Sequence, residues 1–414
     1  MTQTPYHLFE VFGVELEYMI VDKDSLKVRP IADLLIKEVT GMICSDVDRG
    51  RLGWSNELVV HVIELKTNGP SKTLKGLSDA FAEEVAYINQ LLSRHNACLL
   101  PTGAHPFFKP ESETVIWPHE YNEVYALYDR IFDCKGHGWS NLQSTHLNLP
   151  FSGDIEFGAL HAAVRVLLPL IPALSASTPI IEGKLTGHFD TRMDYYRKNQ
   201  QKIPEIAGLV VPEAVFTRSD YVERIFAPIQ RVIRPHDTDN ILDRNFLNSR
   251  GAIARFDRNA IEIRVIDIQE CPRADLAIIE LIVASLKWLM KRFELENNVL
   301  RYGCTTEALA SILITTSQYG SSALIEDKTY LAMFDLDSPV QGSQLWQHLY
   351  QMVEDDLSED AQMVIEKILA HGNLSERMSQ CVAGDNSEQA IFAMYKELER
   401  CLGNNELFIP CCGY

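Results

Sequence analysis

The run LFEVFGVELEYMIVD at residues 8–22 is rich in β-branched and aromatic types and predicts a long strand, with a turn at Asp22 to Ser25. A second strand is predicted over 57–67, ELVVHVIELKT, closed by Asn68-Gly69-Pro70. From Leu74 to Asn96 the residues Leu74, Leu77, Phe81, Val85, Ile88 and Leu92 recur at three- and four-residue steps, the spacing of an amphipathic helix. Short strands are expected at ACLLPT, 97–102, and over 139–149. The apolar stretch Phe157 to Leu174 predicts a helix that kinks or ends early, because Pro169 and Pro172 each remove a helical donor and crowd the preceding turn. Ile261 to Ile268 reads as a strand and Ala274 to Phe293 as a helix.

Beyond Gly303 the pattern turns helical and acidic, with a loop-like segment over 315–343. This places a soft boundary near 315, between a mixed body (1–314) and a helical segment (315–414) packed on it. The strands are joined by long connections containing helices, without the regular alternation of a doubly wound sheet, so the expected fold class is α+β.

A formal charge of -19 and a pI near 5.1 argue against partners such as nucleic acid or an anionic membrane, since both would repel the chain. A nucleotide remains possible where Mg²⁺ and a few arginines reverse the local field. The first residues show no secretory signal, and no apolar run is expected to span a bilayer. Nine scattered cysteines without a CxxC pair point to reduced thiols and a cytoplasmic protein, with Cys411-Cys412 in a loose tail.

Candidate chemistry starts at Gly13-Val14-Glu15-Leu16-Glu17-Tyr18. Residues two apart on a strand share a face, so Glu15 and Glu17 project together and repel unless water or a cation separates them. Clustered carboxylates are what Mg²⁺ selects, although a pair alone more often lines a solvated sheet face. Glu57 and Glu64 lie seven apart, with opposite parity on a regular strand. Either a bulge intervenes or one of them is excluded, and Glu64, between Ile63 and Leu65, is the favoured ligand. His146 and Asn148 share a face, as do Glu262 and Arg264. Alone, the histidine reads as structural and the Glu262–Arg264 pair as a surface ion pair.

Taken together, GVELEY (13–18), NELVVHVIELKT (56–67), TGAHPF (102–107), STHLNLPF (144–151), ALSASTPIIEGKLTGHFDTR (173–192) and IEIRVIDIQECPRADLA (261–277) resemble the glutamate–cysteine ligase family of the carboxylate–amine ligase type. The motifs occur in the family's order over roughly residues 8–300. The resemblance implies a curved antiparallel sheet with helices on its outer face, like the glutamine synthetase and guanido kinase catalytic folds. It implies ATP-dependent activation of a carboxylate, the γ-carboxylate of glutamate, as an acyl phosphate that passes to an amine such as cysteine. By position Glu15, Glu17, Glu64, His146 and Glu262, with Glu57 as a further candidate, would bind Mg²⁺. Arg264 would face the transferred phosphoryl group, Arg192 would hold phosphate or a substrate carboxylate, and Asn148 would border the nucleotide site. Amino acids are the expected small-molecule partners, with self-association left open.

Two positions depart from the family pattern. Asn148 stands where many members carry a second histidine, and Val62 where a polar residue is expected. Both leave the substrates open. No Walker A sequence occurs, so a nucleotide would not be held by a P-loop. A phosphotransferase on the same architecture and an inactive carboxylate-binding protein are the competing functions. Thr102 to Pro106 reads equally as a site loop or a turn, and Ser175 to Pro179 as substrate-positioning hydroxyls or a helix end. Cys271 lacks a base partner for a nucleophile's role.

Overall fold

The computed structural model describes residues 5–242, 247–293 and 298–410. Cys411-Cys412 lies outside them.

Strands β1 (Gly13–Asp22), β2 (Asp46–Arg49), β3 (Leu52–Asn56), β4 (Val62–Thr67), β5 (Ala97–Leu100) and β6 (Ser144–Pro150) come first; β7 (Ile180–Ile181) and β8 (Lys184–Leu185) form a separate small pair. With β9 (Ala252–Arg255) and β10 (Ala260–Asp267), the first six build an eight-stranded sheet in the order β2-β3-β4-β1-β6-β10-β9, with β5 paired to the far half of β1. Neighbouring strands run antiparallel. The chain is thus a mixed helix–strand fold around one large antiparallel sheet, in line with the α+β expectation.

Alternation along the strands separates two faces. Val14, Leu16, Tyr18 and Ile20 of β1, Leu147 and Leu149 of β6, and Ile261 and Ile263 of β10 enter one continuous core. The helices Leu77–Leu92, Gly153–Leu167 and Pro272–Phe293 cover that face. In Leu77–Leu92 the buried residues Leu77, Phe81, Val85, Ile88 and Leu92 are those the periodicity marks. The helix from Gly153 gives way to a 3₁₀ turn at Leu168–Leu170, where Pro169 interrupts the hydrogen-bond ladder. The whole run Gly153–Ser175 is long and apolar enough to cross a membrane, contrary to the expectation for this chain, but its apolar window is fully buried at the centre of the core.

Tertiary context redraws several predicted elements. Of the strand expected over 57–67 only Val62–Thr67 is one, β4; Glu57–His61 is the turn that joins it to β3, which ends at Asn56. The strand expected from 139 starts at Ser144, because His137–Ser140 forms a helical turn. The loop expected over 315–343 is largely ordered: the helix Thr306–Tyr319 runs through 315, and β11 (Leu324–Ile325) pairs with β12 (Val340–Gln341). The C-terminal helices Leu374–Cys381 and Glu388–Asn404 pack with Met19, Val21, Cys98 and Leu100 in a second core at the end of β1 and β5.

Candidate active site

The face of the sheet away from the main core carries the acidic residues. Register sets them in rows: Glu15 stands opposite His146 and Lys66, Glu17 opposite Glu64, and Glu262 opposite Asn148, which in turn faces Gly13. All of Glu15, Glu17, Glu57, Glu64, His146, Glu262, Arg264 and Arg192 border one hollow of about 620 Å³, a volume usual for small-ligand sites.

His146 is the centre of the cluster. Its Nδ1 lies 2.9 Å from Glu15 Oε2 and 3.9 Å from Glu262 Oε1, and its Nε2 lies 3.7 Å from Glu17 Oε1. Two triads result, Glu15–His146–Glu262 and Glu17–Glu64–His146, in each of which the potential ligand atoms lie within 4.8 Å of one another. Neighbours orient the carboxylates: Asn148 Nδ2 donates to Glu15 Oε1 at 3.0 Å, Ser144 N and Oγ donate to Glu17 Oε2, and Ser55 Oγ donates to Glu64 Oε1. Glu262 is held by Arg264 Nε at 3.1 Å and Arg255 Nη1 at 3.2 Å.

This crowding splits the acids electrostatically. Burial opposes ionisation of Glu15, but the hydrogen bond and charge of His146 outweigh it and hold its carboxyl down at about 2. Burial and then repulsion from Glu17 push Glu57 up to about 7. Burial, Glu15 and Glu57 raise Glu64 well above the ordinary carboxylate range. Burial lowers the proton affinity of His146, yet Glu15 more than restores it, so the imidazole is biased toward its charged form. Ionising all of these carboxylates at once is therefore opposed by their mutual repulsion, which a divalent cation would relieve. Five carboxylates and one imidazole form a hard, mainly oxygen donor set that suits Mg²⁺. For His146 to ligate, it must first release the proton that Glu15 favours.

The parity argument against pairing Glu57 with Glu64 does not hold in the structure. Because the chain turns between β3 and β4, Glu57 belongs to a loop, and both glutamates reach the hollow. The phosphate-binding role expected of Arg192 also meets a correction. Its buried guanidinium donates to the backbone carbonyls of Gln143, Arg264 and Ile266 and pairs with Asp267 at 3.0 Å, so its donors are spent on protein groups. Asp267 is fixed in turn by Ser177 N and Thr178 Oγ1. The pairing of β10 with β6 shifts register between Ile263 and Ile266, and Arg192 clasps carbonyls within that irregular stretch beside Arg264. Asn148 reaches the site through Glu15 and is not part of the wall.

The other loops considered are structural. His105 is buried against Leu26 O and Asn141, while Ser177 and Thr178 brace Asp267. Burial raises the Cys271 thiol well above its usual range, which removes it as a nucleophile. Sequence reasoning passed over Ser144 and Lys66, although each is two residues from a recognised site residue on the same strand face. It also missed Arg255 and the aromatic cover of Tyr121, Tyr125, Tyr128, Trp139 and Tyr196, which only long-range packing brings to the hollow.

Residues 11–301 match the family model described as glutamate–cysteine ligase family 2. An uncharacterised protein of Archaeoglobus fulgidus is 33% identical over 96% of this chain and 100% of its own length. Among solved structures, the glutamate–cysteine ligase of Francisella tularensis in complex with AMP superposes with a TM-score of 0.57 at 12% identity, covering 94% of this chain and 88% of that one. A bifunctional glutathione synthetase from Pasteurella multocida also gives 0.57, at 15% identity, and this chain spans 52% of it. At such identities the two structures speak for a shared fold alone.

Proposed function

The chain belongs to glutamate–cysteine ligase family 2, and from that premise we propose that it is an ATP-dependent carboxylate–amine ligase. In this reading it activates the γ-carboxylate of glutamate as an acyl phosphate and joins it to an amine such as cysteine. A sheet curved into a cradle in the manner of glutamine synthetase, with residues 1–314 as the catalytic body, is part of the proposal.

The observation that carries it is the acidic cluster around His146 on the open face of the sheet, with Arg264 beside it. Glu15, Glu17, Glu57, Glu64, His146 and Glu262 would hold Mg²⁺, which when bound supplies charge neutralisation at the oxygens of the nucleotide's phosphates. Arg264, anchored by Glu262, presents a fixed positive charge toward the group in transfer. Arg192 keeps Arg264 in place by gripping its backbone carbonyl. The aromatic cover of Tyr125, Tyr128, Trp139 and Tyr196 shields the acyl phosphate, so that the amine and not water reaches it.

The test is incubation with MgATP and a panel of amino acids, singly and in pairs, following phosphate release and new amides by mass spectrometry. A ligase releases phosphate in proportion to amide and needs the acceptor, or is strongly stimulated by it. A phosphotransferase makes a stable phosphorylated product without one. Glu262→Gln should abolish turnover while leaving the circular dichroism spectrum unchanged. Full turnover in that variant would overturn the metal assignment.

A further inference from the structure

A second cavity, of about 600 Å³, shares no wall residue with the acidic hollow. Ala173, Leu174 and Phe189 form one side of it, and residues between Ser321 and Ala383, in the helical C-terminal segment, form the rest. Three helices meet there: Gly342–Val353 by its first turn, Glu359–His371 by its last, and Leu374–Cys381 by its first.

Among the described residues this wall carries one carboxylate, that of Glu376. Glu376 is 9% exposed, and it accepts from Ser321 N at Oε1 and from Asn373 N at Oε2, each at 2.9 Å. No lysine or arginine among the described residues forms an ion pair with it; the adjacent Arg377 is engaged by Glu270 and by the carbonyls of Gly372 and Phe408. Burial raises its proton affinity, against the hydrogen bonds from Ser321 and Asn373 and the charge of Arg377. A buried carboxylate held by amide donors alone lacks the cation that would keep it ionised.

The backbone is shaped around that carboxylate. Gly320 (φ +57°) and Gly372 (φ +89°) flank it in conformations that favour glycine, and a Cβ on either would press on one of its oxygens. Helix capping does not need the charge: Gly342–Val353 closes the same kind of capping box with Gln344 in the place that Glu376 takes in Leu374–Cys381. Those boxes take up N-terminal donors of both helices, whereas Glu359–His371 ends at the cavity with Leu369, Ala370 and His371 on the wall, and a helix's carbonyl end favours cations. From these observations we propose that the cavity is a second ligand site, for a small organic ammonium ion. Its charged head sits between Glu376 and the last turn of Glu359–His371, and its apolar body lies along Leu174, Phe189 and Leu369. No residue of the acidic hollow takes part, so the proposal does not depend on the ligase reading. It gives the C-terminal segment a role beyond packing.

The experiment titrates the full chain by calorimetry near neutral pH, in saturating Mg²⁺, with phenethylamine and with phenethyl alcohol, a neutral molecule of nearly the same shape. The amine should bind about tenfold or more tightly than the alcohol. Glu376→Gln keeps the capping box, so its circular dichroism and unfolding midpoint should stay close to those of the wild type while the preference for the amine disappears. Ala370→Trp fills the cavity from its exposed rim and should weaken both probes more than tenfold. Equal affinities of the two probes for the wild type, no heat of binding for either, or a preference that survives Glu376→Gln would each defeat the proposal. A preference lost in Glu262→Gln but kept in Glu376→Gln would put the amine in the acidic hollow and defeat it too. Should Glu376→Gln fail to fold, Ala370→Trp decides alone: undiminished binding of the amine there means that the cavity is not its site.

Discussion

Two carboxylates of one site should respond in opposite directions when each is neutralised in metal-free protein. Glu15 has its carboxyl held at about 2 against an ordinary value of 4.5, whereas Glu57 is raised from 4.5 to about 7. At about 1.4 kcal/mol per pKa unit each gap corresponds to about 3 kcal/mol, and solvent screening of these partly exposed groups reduces that to about 2 kcal/mol. The signs follow from linkage. Glu15, with its folded value depressed, contributes stability that is present above 4.5 and lost as pH falls toward 2. Glu57, with its folded value raised, contributes stability that is complete below 4.5 and lost as pH rises through about 7. Near pH 8, therefore, Glu15→Gln should destabilise the chelator-treated protein by about 2 kcal/mol and Glu57→Gln should stabilise it by about as much. Near pH 4 the Glu57→Gln gain should vanish. The assay is urea unfolding followed by tryptophan fluorescence, with the midpoint as readout. Adding Mg²⁺ should erase the advantage of Glu57→Gln, because the wild type then gains binding energy that the variant lacks. Midpoints that move the same way in both variants, or a Glu57→Gln gain independent of pH, would refute the electrostatic account of the site.

Arg377 and Glu270 form a fully buried ion pair at 2.6 Å, and Arg377 also holds the carbonyls of Gly372 and Phe408. Arg377→Met should cost about 3–5 kcal/mol in urea unfolding by stranding a buried charge, with much of the loss recovered on adding Glu270→Met. Burial keeps His61 and His105 neutral down to about 4 and His161 down to about 3, against an ordinary 6.5. Their contribution is present above 6.5 and lost as pH falls, so the unfolding free energy should drop between pH 6.5 and 5, by up to about 2 kcal/mol per histidine. His161→Phe, placed among Phe157, Phe216 and Tyr221, should blunt that drop, and an unchanged pH profile would count against it. Arg192→Lys cannot reproduce the grip on three carbonyls and Asp267, and should lower kcat about tenfold or more with little change in KM for MgATP, read by steady-state kinetics.

What the sequence determined by itself was local. The pleat of a strand places Glu15 with Glu17, His146 with Asn148, and Glu262 with Arg264 whatever lies beside them, so the faces that bear the chemistry could be read before any partner strand was known. Helical periodicity marked the core face of Leu77–Leu92 in the same way. Tertiary structure alone decided the rest. Only the path of the turn between β3 and β4 brings Glu57 to the hollow alongside Glu64, against the parity of a single strand. Only the pairing of β9 with β10 delivers Arg255 to Glu262, and only the register shift in β10 gives Arg192 carbonyls to hold in place of a phosphate. Which face a side chain takes depends on its immediate neighbours along the chain. Which groups meet across the sheet depends on register and loop path, set by partners that can lie more than a hundred residues away.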